Sequence, residues 1–84
     1  SIQYTVGRMQ TKTADDSFAH VTLKIYNILG KVLRTLVDEK LSAGTYEILW
    51  DGKNERQEEV ASGVYFYKLK AGNLEQTKKM ILIR

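Results

Sequence analysis

Cysteine and proline are absent from this 84-residue chain, and histidine occurs only once. Without cysteine there can be no disulfide framework, no thiol nucleophile and no cysteine-ligated zinc. His20 has no second histidine and no serine elbow with which to form a catalytic triad, so we interpret it as a surface residue at a strand edge. The residue types therefore offer no catalytic centre, and we predict that the chain is not an enzyme.

Long apolar runs and an excess of one charge are missing as well. No stretch approaches the roughly 20 apolar residues that a membrane helix requires, so no membrane insertion is expected. The 13 basic and 10 acidic residues give a net charge of +3. Apart from Lys78 and Lys79 the basic residues are scattered, which does not favour nucleic-acid binding. No signal peptide opens the sequence, but a module from the C-terminal end of a longer protein would also lack one, so this absence says little about location.

Two groups of acidic residues are candidate sites. Asp15, Asp16 and Glu47 could supply paired carboxylates for glycoside chemistry, but nothing in the sequence places them together. The loop over 51–59 is rich in oxygen ligands of the kind that calcium binds, although its spacing is not that of an EF-hand. We expect Asp51 to cap the turn through the backbone. Calcium binding by this loop is left open, and no cofactor or metal site is predicted.

Short runs of alternating apolar and polar residues make up most of the chain, and they are typical of half-buried strands. Strands are predicted over 2–6, 21–26, 32–38, 46–50, 64–69 and 74–83, with a short edge strand at 60–61. The polar stretch 7–19 is predicted to be a long loop insertion. The stretch 29–41 also fits a helical period, but the turn spacing of about 8–12 residues favours a strand there.

About seven short strands with hairpin-scale connections predict one all-β domain over 1–84, an antiparallel β-sandwich of two packed sheets. Trp50 is expected at the centre of its core because its large ring dominates local burial. The predicted core residues are Val21, Leu23, Ile25, Tyr46, Ile48, Trp50, Tyr65, Tyr67, Leu69, Met80 and Leu82.

Two strands carry the candidate partner surface. Val64, Phe66 and Lys68 share one face of a strand, and the lysine indicates that this face points to solvent. The apolar pair, together with Tyr26, then either forms a contact patch or is covered by a neighbouring long side chain. If the last strand lies at a sheet edge, Lys78 and Lys79 act either as gatekeepers against aggregation or as recognition charges.

Five blocks of sequence, in order and at matching spacing, resemble a bacterial Ig-like family. The blocks are Val21–Gly30, Ala43–Tyr46, Trp50–Gly52, Ser62–Tyr67 and Lys78–Leu82. The family includes the Ig-like domain of the flagellar hook-capping protein FlgD and the C-terminal sorting domains of the type IX (Por) secretion system. The resemblance implies an Ig-like sandwich. Two loops depart from the family pattern: 7–19 is long and lacks proline, and Gln57 stands where a glycine is usual.

The resemblance also implies a function. It suggests a non-catalytic C-terminal module of a larger secreted bacterial protein, which sorts that protein for secretion or attaches it to the cell surface. Its partners would be the outer-membrane secretion machinery or a neighbouring domain of the parent protein. The alternative is a structural or adhesive Ig-like module, either an assembly element of the hook-cap kind or a carbohydrate-binding accessory domain.

Overall fold

The computed structural model describes residues 2–6 and 18–83, and within these ranges the chain forms six strands and no helix. The strands are β1 (Ile2–Val6), β2 (Phe18–Tyr26), β3 (Val32–Ser42), β4 (Gly44–Ile48), β5 (Gly63–Ala71) and β6 (Leu74–Leu82). β1 and β4 form a two-stranded sheet, and a four-stranded sheet has the order β3-β2-β5-β6. Every pairing is antiparallel. The predicted all-β sandwich of two antiparallel sheets is therefore confirmed.

Alternating residues of β2 and β5 form the centre of the sandwich. Val21, Leu23 and Ile25 are completely buried, and Leu69 is 2% exposed. Because successive side chains of a strand point to opposite faces, the alternation in the sequence becomes one buried face and one solvent-facing side. Burial of each large aliphatic side chain contributes about 1.5–3 kcal/mol. Of the other predicted core residues, Tyr65 is buried, whereas Tyr46, Ile48, Trp50, Tyr67, Met80 and Leu82 are partly buried and pack against this cluster.

Trp50 lies at the margin of the core, and its predicted central position is wrong. Its ring meets Tyr65 edge to face, with 5.4 Å between the ring centroids. Its indole N–H donates to the carbonyl of Lys53 at 2.9 Å. An indole nitrogen needs an acceptor when it is covered, and the loop after the strand supplies one at the rim.

The segment 29–41, which also fitted a helical period, is mostly strand. Val32–Ser42 forms β3 and pairs along β2. Two register irregularities, at Leu23/Lys24 and Ile25/Tyr26, interrupt this pairing. A bulge places extra residues opposite one partner and so breaks strict alternation. The mixed apolar pattern that resembled a helical period is therefore produced by a bulged strand.

Two predicted boundaries need correction. β2 begins at Phe18, so Phe18 and Ala19 belong to a strand and not to the predicted 7–19 loop, whose residues 7–17 lie outside the described ranges. The fourth strand ends at Ile48, two residues before Trp50.

The short edge strand predicted at 60–61 is not formed. The N–H of Val60 donates to the carbonyl of Gly52 at 3.0 Å. This bond closes the 52–60 loop on itself, so Val60 does not join a sheet. The described part of the chain therefore has six strands where about seven were predicted.

The β2–β3 turn is organised by Asn27, which the sequence analysis did not single out. Its side-chain oxygen accepts hydrogen bonds from the N–H groups of Leu29 and Lys31, each at 2.9 Å. Gly30 has a φ of 84°, a left-handed conformation that glycine adopts without steric cost. An Asn-to-backbone turn of this kind fixes the chain reversal locally.

Tyr46 stabilises the corner at which the chain passes from the larger sheet to the smaller one. Its hydroxyl donates to the carbonyl of Ser42 at 2.6 Å. Its ring stacks on Tyr4, its directly paired neighbour, with 5.5 Å between centroids. One side chain thus links the end of β3 to the pairing of β1 with β4.

The two sheets are unequal, so part of the larger sheet stays uncovered within the described residues. Gln76 and Lys78 of β6 face the same side as the core but are exposed. Together with Gln3 and Thr5 of β1 they line an open groove of about 600 Å³.

Candidate interaction surface

Strand β6 is an edge strand of the four-stranded sheet. It pairs with β5 from Ala71↔Leu74 to Gly63↔Leu82, and no described strand lies on its other side. All side chains from Leu74 to Lys79 are exposed. A strand with one unpaired backbone edge is a template for the addition of another strand.

The five predicted surface residues divide between two faces. Val64, Phe66 and Lys68 lie on the outer face of β5, as predicted, and Lys79 pairs with Phe66 and joins them. Lys78 pairs with Tyr67 and lies on the opposite face, beside the open groove. Both lysines are exposed.

The apolar part of the outer face is larger than the sequence analysis indicated. Tyr26 pairs with Phe66, and Ile81 pairs with Val64. Val64 is 37% exposed and Ile81 is 65% exposed, whereas Phe66 is partly covered. Ile81 could not be found from the sequence because it lies in a continuous apolar run, where alternation no longer distinguishes the two faces.

Lys68 contacts both an aromatic ring and a carboxylate on the outer face. Its ammonium group lies 5.3 Å from the centroid of the Tyr26 ring, within the range of a cation–π interaction. It also lies 3.5 Å from the carboxylate of Glu75, which is 3.8 Å from Lys70 as well. Exposed ion pairs of this kind add at most about 1 kcal/mol, so they orient the side chains more than they stabilise the fold.

The acidic 51–59 loop uses its oxygens in hydrogen bonds within the loop and to β3. Asp51 Oδ1 accepts from the Lys53 N–H at 3.0 Å, as predicted for a turn cap, and from Arg34 Nη1 at 3.0 Å. Asn54 Oδ1 accepts from the N–H groups of Arg56 and Glu58. No group of three or more His, Asp or Glu side chains within residues 2–6 and 18–83 is arranged to hold a metal ion.

His20 lies near the start of β2 with an exposed side chain, and it pairs with Lys40 of β3, whereas the register with β5 begins at Val21. β2 has neighbours on both sides, β3 and β5. The His20 ring nitrogen Nε2 is 2.6 Å from Asp38 Oδ1, and both side chains are more than half exposed. A histidine–carboxylate pair without an adjacent nucleophile has no catalytic geometry among the described residues.

Of the remaining acidic candidates, only Glu47 lies within the described residues. Glu47 lies on β4 with an exposed side chain. Asp15 and Asp16 lie outside the described residues. In the part of the chain that the structure describes, no helix is long and apolar enough to cross a membrane.

An Ig-like sandwich whose most accessible features are an edge strand and a lysine-bearing sheet face defines a structural module with surfaces suited to contact. The comparison with protein families agrees. The model of the FlgD Ig-like domain matches residues 2–75, and the chain belongs to this family, which is structural and non-enzymatic. No curated protein matches the chain. No solved structure matches it either.

Proposed function

We propose that this domain is the C-terminal sorting or cell-surface attachment module of a larger secreted bacterial protein, and that outer-membrane secretion machinery recognises it through β6. The observation that carries the proposal is the edge of β6, where Lys78 and Lys79 project to opposite faces and no other described strand pairs with the outer backbone. Backbone pairing would supply affinity, and the two lysines would supply specificity. The resemblance of residues 78–82 to sorting domains supports this assignment.

The test is a secretion assay. Residues 1–84 are fused behind a reporter that carries a general export signal, in a host with the type IX machine. We expect the reporter outside the outer membrane, and its retention in the periplasm would contradict a sorting function.

A charge-reversed fusion tests the role of β6. Lys78→Glu with Lys79→Glu is expected to retain the reporter, whereas the matched pair Lys31→Glu with Lys53→Glu, which lies outside the strands, is expected to be exported. Export of both variants would mean that sorting does not depend on the β6 edge.

A structural assembly module is the second candidate, and membership of the FlgD Ig-like family favours it. The two candidates differ in what precedes Ser1 in the full-length gene product. A signal peptide and a large extracellular domain would support sorting. A short flagellar-type region would support assembly and would exclude the first proposal.

A further inference from the structure

Three lysines meet on the outer face of the four-stranded sheet. Lys24 of β2 is the direct partner of Lys68 on β5, and Lys70 lies two residues further along β5, opposite Thr22. These four side chains line a shallow hollow together with Tyr26. Like charges directly opposite each other on neighbouring strands are destabilising. The free protein therefore bears an electrostatic cost that a bound anion would relieve.

The negative charge available nearby does not balance this cluster. Glu75 is the only carboxylate within ion-pair distance of these lysines among the described residues, and it is shared by Lys68 and Lys70. Lys24 has no carboxylate partner in residues 2–6 and 18–83. Asp38 also lies on this face but is bonded to His20, so one carboxylate against three ammonium groups leaves an excess of positive charge around the lysines.

An aromatic pair lies directly beside the lysines. Tyr26 and Phe66 are cross-strand partners on the same face. Each lies two residues in sequence from one of the paired lysines, Lys24 and Lys68. They line a second hollow of about 350 Å³, whose polar residues include Asn27 and Thr77. Partly exposed aromatic rings with a few polar groups at their border suit the apolar face and the hydroxyl groups of a sugar ring.

We propose that these five residues (Lys24, Tyr26, Phe66, Lys68 and Lys70), which we name the lysine–aromatic face, bind an acidic polysaccharide. A sugar ring packs against the aromatic pair beside the Lys68 ammonium group, which lies 5.3 Å from the centroid of the Tyr26 ring, and its carboxylate or sulfate group lies among the three lysines. Same-face residues along a strand are about 7 Å apart, a spacing that suits a sugar ring and its acidic substituent. The proposal does not rest on the sorting function: its five binding residues lie on β2 and β5, and Glu75 and Thr77 of β6 border them.

The charge balance favours a glycan over a nucleic acid. The anionic group is needed at one place only, because the neighbouring positions are occupied by aromatic rings on one side and by Glu75 on the other. A phosphate at every nucleotide would bring further negative charge toward Glu75 and toward Asp38, which also lies on this face opposite Thr22.

Binding is measured by affinity electrophoresis of the full chain at low salt. The gels contain polygalacturonate, dextran sulfate or neutral dextran, and the retardation of the protein is compared. We expect retardation by polygalacturonate if a carboxylate is bound, or by dextran sulfate if a sulfate is bound, and none by neutral dextran. Absence of retardation by both acidic polymers would overturn the proposal. Retardation by neutral dextran would mean that binding does not need the lysines.

Variants then locate the site. Lys24→Gln with Lys68→Gln should weaken binding by about tenfold, because charge-assisted hydrogen bonds are lost. The matched pair Lys31→Gln with Lys78→Gln removes the same charge elsewhere and should leave the affinity nearly unchanged. Equal weakening by the two pairs would overturn the site, since it would indicate a general effect of net charge.

Further variants distinguish the contribution of charge from that of ring contact, and further ligands distinguish a glycan from other polyanions. Glu75→Gln should tighten binding by roughly two- to threefold, and Tyr26→Leu should weaken it while the melting temperature confirms that the fold is kept. No effect of either variant would overturn the geometry. Equal or tighter binding of single-stranded oligo-dT or of phosphatidylglycerol vesicles would overturn the choice of a glycan.

Discussion

Gln57 adopts a φ of 66°, the only left-handed non-glycine residue among the described positions. A side chain in this conformation costs roughly 1–2 kcal/mol because Cβ approaches the following carbonyl. Family members usually have glycine at this place, and glycine avoids the clash. The departure noted in the sequence is therefore a point of local backbone strain within a loop that is otherwise well hydrogen-bonded.

Gln57→Gly is expected to stabilise the domain by roughly 0.5–1 kcal/mol, because the relief of strain exceeds the larger entropy of glycine in the unfolded chain. Urea unfolding with an unchanged slope measures the effect. Arg56→Gly is the matched control in the same exposed loop and should destabilise by a similar amount, since its φ is not positive. If both substitutions destabilise equally, the strain argument does not hold.

Tyr65 illustrates a second effect at the scale of a single residue. It is buried near the start of β5, and its hydroxyl donates to the carbonyl of Ala61, four residues earlier in the chain. The bond ties the end of the 52–60 loop to the core. Tyrosines in this position are a recurrent feature of Ig-like sandwiches.

Tyr65→Phe should lower the free energy of unfolding by about 1–2 kcal/mol, because the Ala61 carbonyl loses its donor while the ring packing is kept. Thermal or urea unfolding checks this expectation. Tyr67→Phe is the control, since no hydrogen bond to its hydroxyl is found in the described ranges, and it should change stability by less than about 0.5 kcal/mol. Equal losses in the two variants would contradict the assigned role of the Tyr65 hydroxyl.

At the scale of the element, β6 combines a free backbone edge with adjacent lysines that project to both faces. Charged side chains on an edge strand prevent pairing with a second copy of the chain. This protection against self-association would operate whether or not a partner also binds the same lysines. The two interpretations of Lys78 and Lys79 are thus compatible and need different measurements.

Lys78→Thr with Lys79→Thr is expected to increase self-association, because the edge loses its repulsive charges while threonine keeps a high strand propensity. Light scattering across a concentration series measures the oligomeric state. The pair Lys31→Thr with Lys53→Thr lowers the net charge equally and should associate no more than the unmodified chain. Association of that control would attribute the effect to net charge instead of the edge.

Sequence reasoning predicted the elements best where one face of a strand is buried. In β2, Val21, Leu23 and Ile25 alternate with polar residues, and their inward face is completely buried. For β3 it predicted a strand but left a helical period open, because bulges break the alternation. It failed for residues 60–61, where the Val60 N–H donates to the Gly52 carbonyl and no strand forms. Neither a bulge nor a loop contact has a signal at fixed spacing.

The candidate surfaces were predicted only in part for a related reason. The outer face of β5 follows from alternation within one strand. The pairing of Lys24 with Lys68 and of Tyr26 with Phe66 depends on the register between strands, which joins residues about 40 positions apart. A single sequence does not contain that register.

At the scale of the whole molecule, Tyr4 reports on the contact between the two sheets. It is buried on β1 and stacks on Tyr46. Burial raises the pKa of the Tyr4 phenol above its usual value of 10.0, and the charges of Glu39 and Tyr46 raise it further. The folded protein thus keeps the Tyr4 proton to a higher pH than the unfolded chain.

The free energy of unfolding should therefore fall as the pH rises above about 10, since the unfolded chain releases this proton first. The contribution is fully present below that pH and is lost as the pH passes through the folded-state pKa. In Tyr4→Phe this part of the alkaline loss should be missing, so its stability difference from the wild type should change between about pH 8 and pH 11. Urea unfolding at both values tests this, with Tyr26→Phe on the outer face as control. A difference for Tyr4→Phe that does not depend on pH would contradict the assignment.

The pairing of β1 with β4 has a consequence for the order of folding. β5 and β6 are joined by a tight turn, whereas Ile2 finds its partner Ile48 more than half the chain away. Closing such a long loop costs more conformational entropy than closing a hairpin, and the cost is incurred before any contact is gained. The amides of β1 should accordingly exchange with deuterium faster than those of β2, since the smaller sheet can open while the larger one stays intact. The sandwich then behaves as a stable four-stranded layer with a detachable second layer.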